Sequence, residues 1–306
     1  GDARQQPLWQ ISIFPALRRP VDRAGRDCGG IVVDESVNGR RRLLRYRLPP
    51  GVTDSETWAI DARGLTKTFG TVTAVRGVTL QVPSGTIFAF LGPNGSGKST
   101  TVKLLTGLLA PSAGEARVSG RVVSVEDLEL RREIGILPED DALFPDLTIW
   151  EHLELCGRLY GLGRQETVAR AIQLLRHLDL EQGRTTLVEK ASFGMRKKCA
   201  LAMALLHNPR VLFLDEPFEG IDPGSSRNIK DLLLALAERG VTVFLTSHIL
   251  EIVERLAERF ALIVKGEVVC CQSVSALERD GTTLEQLYLG YAGRPDVGNL
   301  DWLGRR

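Results

Sequence analysis

The sequence contains no apolar run of the ~20 residues that a membrane-spanning helix needs. Apolar stretches such as Val211–Leu214 and Val241–Leu245 are the size of strands. A role at a membrane would therefore place the membrane part on another polypeptide. None of the five cysteines lies in a CxxC pair, and adjacent Cys270 and Cys271 are poorly placed to bridge. Such scattered thiols read as reduced, small buried side chains rather than as a disulfide frame or a metal site. Charge of one sign is also missing. Lys plus Arg number 39 against 38 Asp plus Glu, for a net +1, so overall charge predicts neither a nucleic-acid partner nor an acidic substrate. There is no internal repeat, no heptad array, and no apolar leader-type stretch at the start. What remains is 306 residues, 43% of them hydrophobic, enough to bury a sizeable core.

Residues 1–57 differ from the rest. They lack Lys, carry ten Arg against seven acids, and end near Pro49–Pro50. Their apolar patches show no sustained periodicity, which predicts a poorly ordered extension; a basic arm touching lipid headgroups or a partner is the functional alternative. From Trp58 the texture changes. Val72–Val82 and Thr86–Leu91 read as strands, and Lys98–Leu109 as a helix ended by Pro111. Thr148 and Glu151 have capping-box spacing and open a helix to about Tyr160. Arg164–Leu178 reads as another helix. Val211–Leu214 is a buried strand, Gly224–Glu238 a helix, Val241–Thr246 a strand and Ile249–Glu258 a helix. Phe260–Val264 and Glu267–Cys271 form a hairpin around Lys265-Gly266. Strands alternating with helices predict an α/β fold with a largely parallel sheet. The helix-rich stretch from about 140 to 200 predicts an inserted helical subdomain, and 291–306 a loose tail.

The strongest signal is Gly92-Pro93-Asn94-Gly95-Ser96-Gly97-Lys98-Ser99, followed by Thr100. It fits GxxxxGK[ST], follows the apolar strand Ile87–Leu91 and precedes a helix, the context that a phosphate-binding loop requires. Its glycines let backbone N–H groups turn inward around phosphates, and the helix N-terminus adds partial positive charge. Lys98 would neutralise the β- and γ-phosphates and Ser99 would offer its hydroxyl to Mg²⁺. The buried strand Val211–Leu214 delivers two carboxylates at its C-terminal end, where open α/β sheets bind ligands. Asp215 would hold Mg²⁺, directly or through water, and Glu216 would act as general base on the attacking water.

From about Ile60 to Gly290 the chain resembles the ATP-binding cassette family. Ile134-Gly-Ile-Leu-Pro-Glu139 is similar to the family's Q-loop, and Ala191-Ser192-Phe193-Gly194-Met195-Arg196 to its signature motif, 23 residues before Asp215 when measured from Ser192. Phe218-Glu-Gly220-Ile-Asp222 resembles the D-loop, and Ser247-His248 the switch-histidine motif. The resemblance implies a P-loop NTPase core with a small antiparallel β subdomain and an inserted helical subdomain. It implies that Ser192 and Gly194 face the γ-phosphate of ATP held by a second cassette, in a head-to-tail dimer with ATP between the subunits. It further implies that His248 contacts the γ-phosphate, that Asp222 joins the two sites, that Glu139 reaches Mg²⁺ or water, and that Phe69, 23 residues before Gly92, packs on adenine.

Two departures stand out. Phe193 replaces the first of the signature's two usual glycines, and Glu139 stands where glutamine is usual. Both resemble the exporter subgroup serving drugs, lipids or polysaccharides, as does Thr282–Gly290, similar to the short helix that closes those cassettes. The resemblance implies an ATPase using ATP and Mg²⁺, peripheral on the cytoplasmic face of a membrane. It would work as a homo- or heterodimer with a separate transmembrane permease subunit and without nucleic acid. The alternatives are a regulatory cassette that binds ATP without turnover, and a non-transport cassette ATPase acting on ribosomes or DNA. Asn228-Ile-Lys-Asp231 has the wrong order for a guanine-reading motif and lies on a helix. His152, His177 and His207 read as surface or packing residues. Ile149, Trp150, Leu153 and Leu155 read as either a core face or a docking contact.

Overall fold

The computed structural model describes residues 32–37, 40–45, 58–140 and 142–292. Its centre is a six-stranded sheet in the order β12-β11-β5-β10-β9-β8. Here β5 is Ile87–Leu91, β8 Ile134–Leu137, β9 Val211–Leu214, β10 Thr242–Ser247, β11 Arg259–Val264 and β12 Glu267–Ser273. All are parallel except β12, which returns antiparallel on β11 through Lys265 (φ 51°) and Gly266 (φ 86°). Two consecutive positive φ values give the turn twist that a tight hairpin needs.

Continuous apolar strands imply burial on both faces, and the side-chain alternation assigns each face. Ile87, Ala89, Leu91, Leu212, Leu214, Val243, Leu245, Phe260 and Leu262 point into one core. Phe88, Phe90, Phe213, Phe244, Ala261 and Ile263 point into the other. In the second core Phe244 sits amid Phe88, Phe90 and Phe213 at ring-centroid distances of 5.5–5.6 Å. Phe244→Ala would open a cavity there, at a cost of about 3–5 kcal/mol.

That aromatic layer packs under a four-stranded antiparallel sheet, order β4-β3-β6-β7, the small β subdomain implied above. It comprises β3 (Trp58–Phe69), β4 (Val72–Pro83), β6 (Ala113–Val118) and β7 (Arg121–Val122). Helix α1 (Lys98–Leu105) lies against it, contributing Val102, Leu104 and Leu105. α1 stops four residues before the expected Leu109. Gly107 takes φ 68°, and Leu109 N–H folds back onto Lys103 C=O at 3.0 Å, a glycine-dependent stop that acts before Pro111. Helix α2 (Leu128–Glu133), capped by Asp127, leads into β8.

On the other face stand α3 (Ile149–Leu159), α4 (Arg164–His177), one 3-10 turn (Val188–Lys190) and α5 (Phe193–Leu206). The capping box is present: Thr148 Oγ1 accepts from Glu151 N–H at 3.1 Å and Thr148 N–H donates to Glu151 Oε2 at 2.8 Å. Ile149 and Leu153 are buried in the core, which settles their face; Trp150 is partly buried against it. His152 is a packing residue. Its Nδ1–H donates to Thr148 C=O at 2.8 Å, its Nε2 accepts Phe144 N–H at 2.9 Å, and burial lowers its pKa. His207 also packs. It stacks on Tyr160 at 3.8 Å and donates Nε2–H to Ile134 C=O at 2.9 Å, and burial pushes its pKa down to about 4.

The remaining helices are α6 (Pro223–Glu238), α7 (Leu250–Leu256), α8 (Val274–Arg279) and α9 (Leu284–Ala292). α9 begins two residues after the closing segment expected at Thr282 and passes Gly290 by two. Within the N-terminal extension, β1 (Val32–Val37) and β2 (Arg40–Arg45) pair as an antiparallel hairpin that the sequence reading did not anticipate. The rest of residues 1–57, and of the tail 291–306 beyond Ala292, lie outside the described residues.

Candidate functional site

The loop between β5 and α1 is shaped by contacts that only glycine allows. A Cβ on Gly92 would stand 2.3 Å from Ile263 C=O, and one on Gly97 would stand 2.5 Å from Ala74 C=O. Gly97 also caps α1 at φ 106°, a conformation that side chains disfavour. Gly266 N–H donates to Ser96 C=O at 2.9 Å, so the β11–β12 turn braces the loop from outside. Lys98 is buried and curls back: its Nζ donates to Gly92 C=O at 2.8 Å and lies 3.7 Å from Glu216 Oε1. Ser96 Oγ is buried with no hydrogen-bond partner among the described residues. Beside the loop opens a cleft of about 480 Å³, lined by Asn94, Gly95, Gly97, Lys98, Ser99, Thr100 and Glu139 and, across from them, Ala74, Glu216, Glu219 and His248.

The strand ends bring the acids to the same cleft. β9 delivers Asp215 and Glu216, both buried. Thr246, near the end of β10, donates Oγ1–H to Asp215 Oδ1 at 2.5 Å and accepts Glu216 N–H at 2.9 Å. One hydroxyl therefore holds both positions, and Glu216 takes φ 48°, a strained value for a residue with a side chain. Glu216 Oε2 meets His248 Nδ1 at 2.9 Å and accepts His248 N–H at 3.3 Å. Glu139, just past β8, accepts Ser99 Oγ–H at 3.1 Å. The structure thus gathers Lys98, Ser99, Glu139, Glu216 and His248 around one cleft, with Asp215 anchored behind Glu216.

Ser192, Gly194 and Asp222 do not line that cleft. Ser192 caps α5, accepting Met195 N–H at 3.2 Å, and Asp222 caps α6, accepting Ser225 N–H at 2.9 Å. Hydrogen bonds from the Ser225 side chain and backbone hold the Asp222 carboxyl below its usual pKa. Gly194 faces Gly220 C=O and Ile221, with a Cβ position 3.9 Å from each. Phe69 is half exposed at the β3–β4 turn, with Lys67 Nζ 5.3 Å from its ring centre; it too lies outside the cleft lining. Sequence reasoning missed Thr246, Glu219 and Ala74. Thr246 and Ser247 end an otherwise apolar strand immediately before His248, a signal for Thr246. A third acid after Asp215-Glu216 was a weaker signal for Glu219. Ala74 gave none.

A parallel sheet whose first helix starts in this glycine loop, with an acid pair on the neighbouring strand end, defines a P-loop nucleotide-hydrolase cassette. The residues fit a nucleotide phosphate chain. The loop is a cradle that a Cβ would fill, a buried hydroxyl stands unpartnered beside it, and an ammonium is held at the cleft. Residues 75–219 match the ABC transporter family. The chain is 36% identical over 230 residues to the linearmycin resistance ATP-binding protein LnrL of Bacillus subtilis (strain 168), covering 74% of each chain. It is 39% identical over 213 residues to the daunorubicin/doxorubicin resistance ATP-binding protein DrrA of Streptomyces peucetius, covering 70% of this chain and 64% of that one. Among solved structures it resembles an ATP-binding subunit of an ABC transporter, with TM-score 0.71 and 30% identity over 76% of this chain and 98% of the other. It also resembles a dimeric cassette, MJ0796, in a post-hydrolysis state bound to ADP and Pi, with TM-score 0.66 and 28% identity over 70% and 98%. The chain belongs to the ABC transporter family of ATP-binding proteins. No described helix is long and apolar enough to cross a membrane.

Proposed function

We propose that this chain binds and hydrolyses ATP to drive export through a separate membrane subunit, and that it works as half of a head-to-tail dimer. The observation that carries the reading is the arrangement around Glu216. Its carboxylate lies between Lys98 and His248, at 3.7 and 2.9 Å, at the rim of a glycine cradle.

Gly92 to Thr100 would wrap the phosphates through backbone N–H groups, with Lys98 exchanging its loop carbonyls for phosphate oxygens. Ser99, Asp215 and Glu139 would hold Mg²⁺, which supplies charge neutralisation on the phosphate chain when bound. Glu216 would take the proton of the attacking water, oriented by the His248 ring and backbone N–H. Such catalysis is mostly positioning and electrostatics. Phe69, exposed near the loop's supporting strand, would stack on adenine. Ser192 and Gly194, at a capped helix N-terminus away from the cleft, suit a γ-phosphate presented by the second subunit, and Asp222 would link the two sites. ATP would then favour the closed dimer by touching both faces, and its hydrolysis would release them, a two-state element for the membrane partner to read. Names of relatives as resistance or Nod factor export ATP-binding proteins support export, and with a separate membrane subunit the chain would sit on the cytoplasmic face of the membrane.

The test compares wild type with Glu216→Gln by light scattering and phosphate release. The variant is expected to dimerise with Mg-ATP while losing roughly 10²–10³-fold in turnover, the scale of a lost general base. Monomers with bound ATP and no phosphate release from either protein would point instead to a regulatory cassette.

A further inference from the structure

The bulky residue in the signature motif has an observed partner. Phe193, the first residue of α5, lays its ring on Gly220: a Cβ there would stand 2.5 Å from Phe193 Cε1 and 2.6 Å from Cδ1. Gly220 is held at φ 67°. Arg196 Cζ and Lys197 Nζ lie 5.8 and 5.4 Å from the ring centre. The ring is thus oriented by its own helix, although it remains 42% exposed. A second tie runs parallel to it. Lys198, further along α5 and buried, donates Nζ–H to Ser225 Oγ at 3.1 Å, and Ser225 N–H donates to the Asp222 carboxylate that caps α6.

The first tie falls within the segment 218–222 and the second three residues beyond it. The segment leaves Glu216 through a tight turn, Glu219 N–H to Glu216 C=O at 3.3 Å and Ile221 N–H to Phe218 C=O at 3.4 Å. Glu219 itself lines the cleft. The segment that follows the strained Glu216 backbone therefore has its far end fastened to α5, and Phe193 and Gly220 form the steric part of that fastening.

We propose that Phe193 is a positioning residue. Its ring clamps Gly220 and so fixes the turn that sets the Glu216 carboxylate for water activation. The proposal rests on the hydrolytic reading above. Glycine at position 220 is then required twice, by the positive φ and by the ring, whereas Phe193 is required only for its volume against Gly220.

The test is a double-mutant cycle in the full chain, read as steady-state ATP turnover, with nucleotide affinity and thermal melting as controls. Phe193→Ala is expected to lower kcat roughly 5- to 20-fold while the ATP affinity of the single subunit stays within about twofold, because that subunit's own phosphate loop is untouched. Phe193→Leu, which keeps most of the volume, should recover most of the rate. Gly220→Ala is expected to lower kcat as well, and the double variant Phe193→Ala/Gly220→Ala should be no slower than Gly220→Ala alone, since residues sharing one contact are non-additive. Unchanged kcat in Phe193→Ala, or independent multiplication of the two losses, would overturn the clamp. If wild type and Glu216→Gln do not differ in turnover, the hydrolytic reading itself fails, and that result is distinguishable from failure of the clamp.

Discussion

The phosphate-loop cleft and the α5–α6 face differ in how they are held. Around the cleft, groups are fixed by buried partners. Thr246 holds Asp215 and Glu216 from behind, and Ile263 and Ala74 carbonyls press on Gly92 and Gly97. At the α5–α6 face, Ser192 and Asp222 each satisfy a helix end, a Cβ on Gly194 would meet only ordinary contacts at 3.9 Å, and Phe193 stays half exposed. The first region is tied by buried hydrogen bonds and close backbone contacts. The second is tied only at two helix ends, and Ser192, Phe193 and Asp222 there are exposed. Buried hydrogen bonds are costly to break because the abandoned group loses water as well, so the same kind of substitution should act differently in the two places.

The largest contrast is between two glycines. Gly92→Ala forces a methyl into Ile263 C=O and should abolish nucleotide binding while lowering stability by about 2–4 kcal/mol, as read by nucleotide titration and denaturant melts. Gly194→Ala meets nothing closer than 3.9 Å and should leave stability within about 0.5 kcal/mol, so that any loss appears in ATP-driven dimerisation. Equal destabilisation by both would break the comparison. Next comes Thr246→Val, which keeps the shape but strips Asp215 of a donor and Glu216 N–H of an acceptor. It should cost about 2–3 kcal/mol and lower kcat about tenfold or more, checked by melting and phosphate release.

A pH dependence probes the far end of α5, away from both regions. His207 stacks on Tyr160 and bonds to the first residue of β8, with a folded pKa of about 4 against an ordinary 6.5. The unfolded chain therefore binds a proton that the folded one refuses. This contribution to stability is complete above pH 6.5 and is lost as pH falls toward 4. Denaturant titrations should show about 2 kcal/mol less stability at pH 4.5 than at pH 7 from this group, and His207→Phe, which retains a ring, should flatten that slope. Ser192→Ala should cost about 1 kcal/mol for a lost N-cap, visible in the melting temperature.

Elements with a local chemical signature were legible in the sequence. The glycine loop, the apolar β9 followed by two acids, the Thr148–Glu151 box and the β11–β12 turn each carry their cause within a few residues. β3 was not read because four register shifts scramble its alternation. β6 was not read because Ala113-Gly-Glu-Ala-Arg-Val118 has only one large apolar residue and is mostly exposed. The end of α1 went wrong because Pro111 outshone Gly107. Thr246 and Glu219 join the cleft through strand order, and strand order is set by distant parts of the chain. The same holds for the tie between Lys198 and Ser225, 27 residues apart.

Strand order has a mechanical side too. β5, β9 and β10, which carry the glycine loop, the acid pair and the approach to His248, each have two ladder neighbours, whereas β8 has one. Tilting an interior strand strains two ladders, while tilting an outermost strand strains one. The sheet is thus stiff under Lys98, Glu216 and His248 and compliant under Glu139. A push on the loop that follows β8 would swing Glu139 about the β8–β9 ladder as about a hinge pin, leaving the floor of the cleft still.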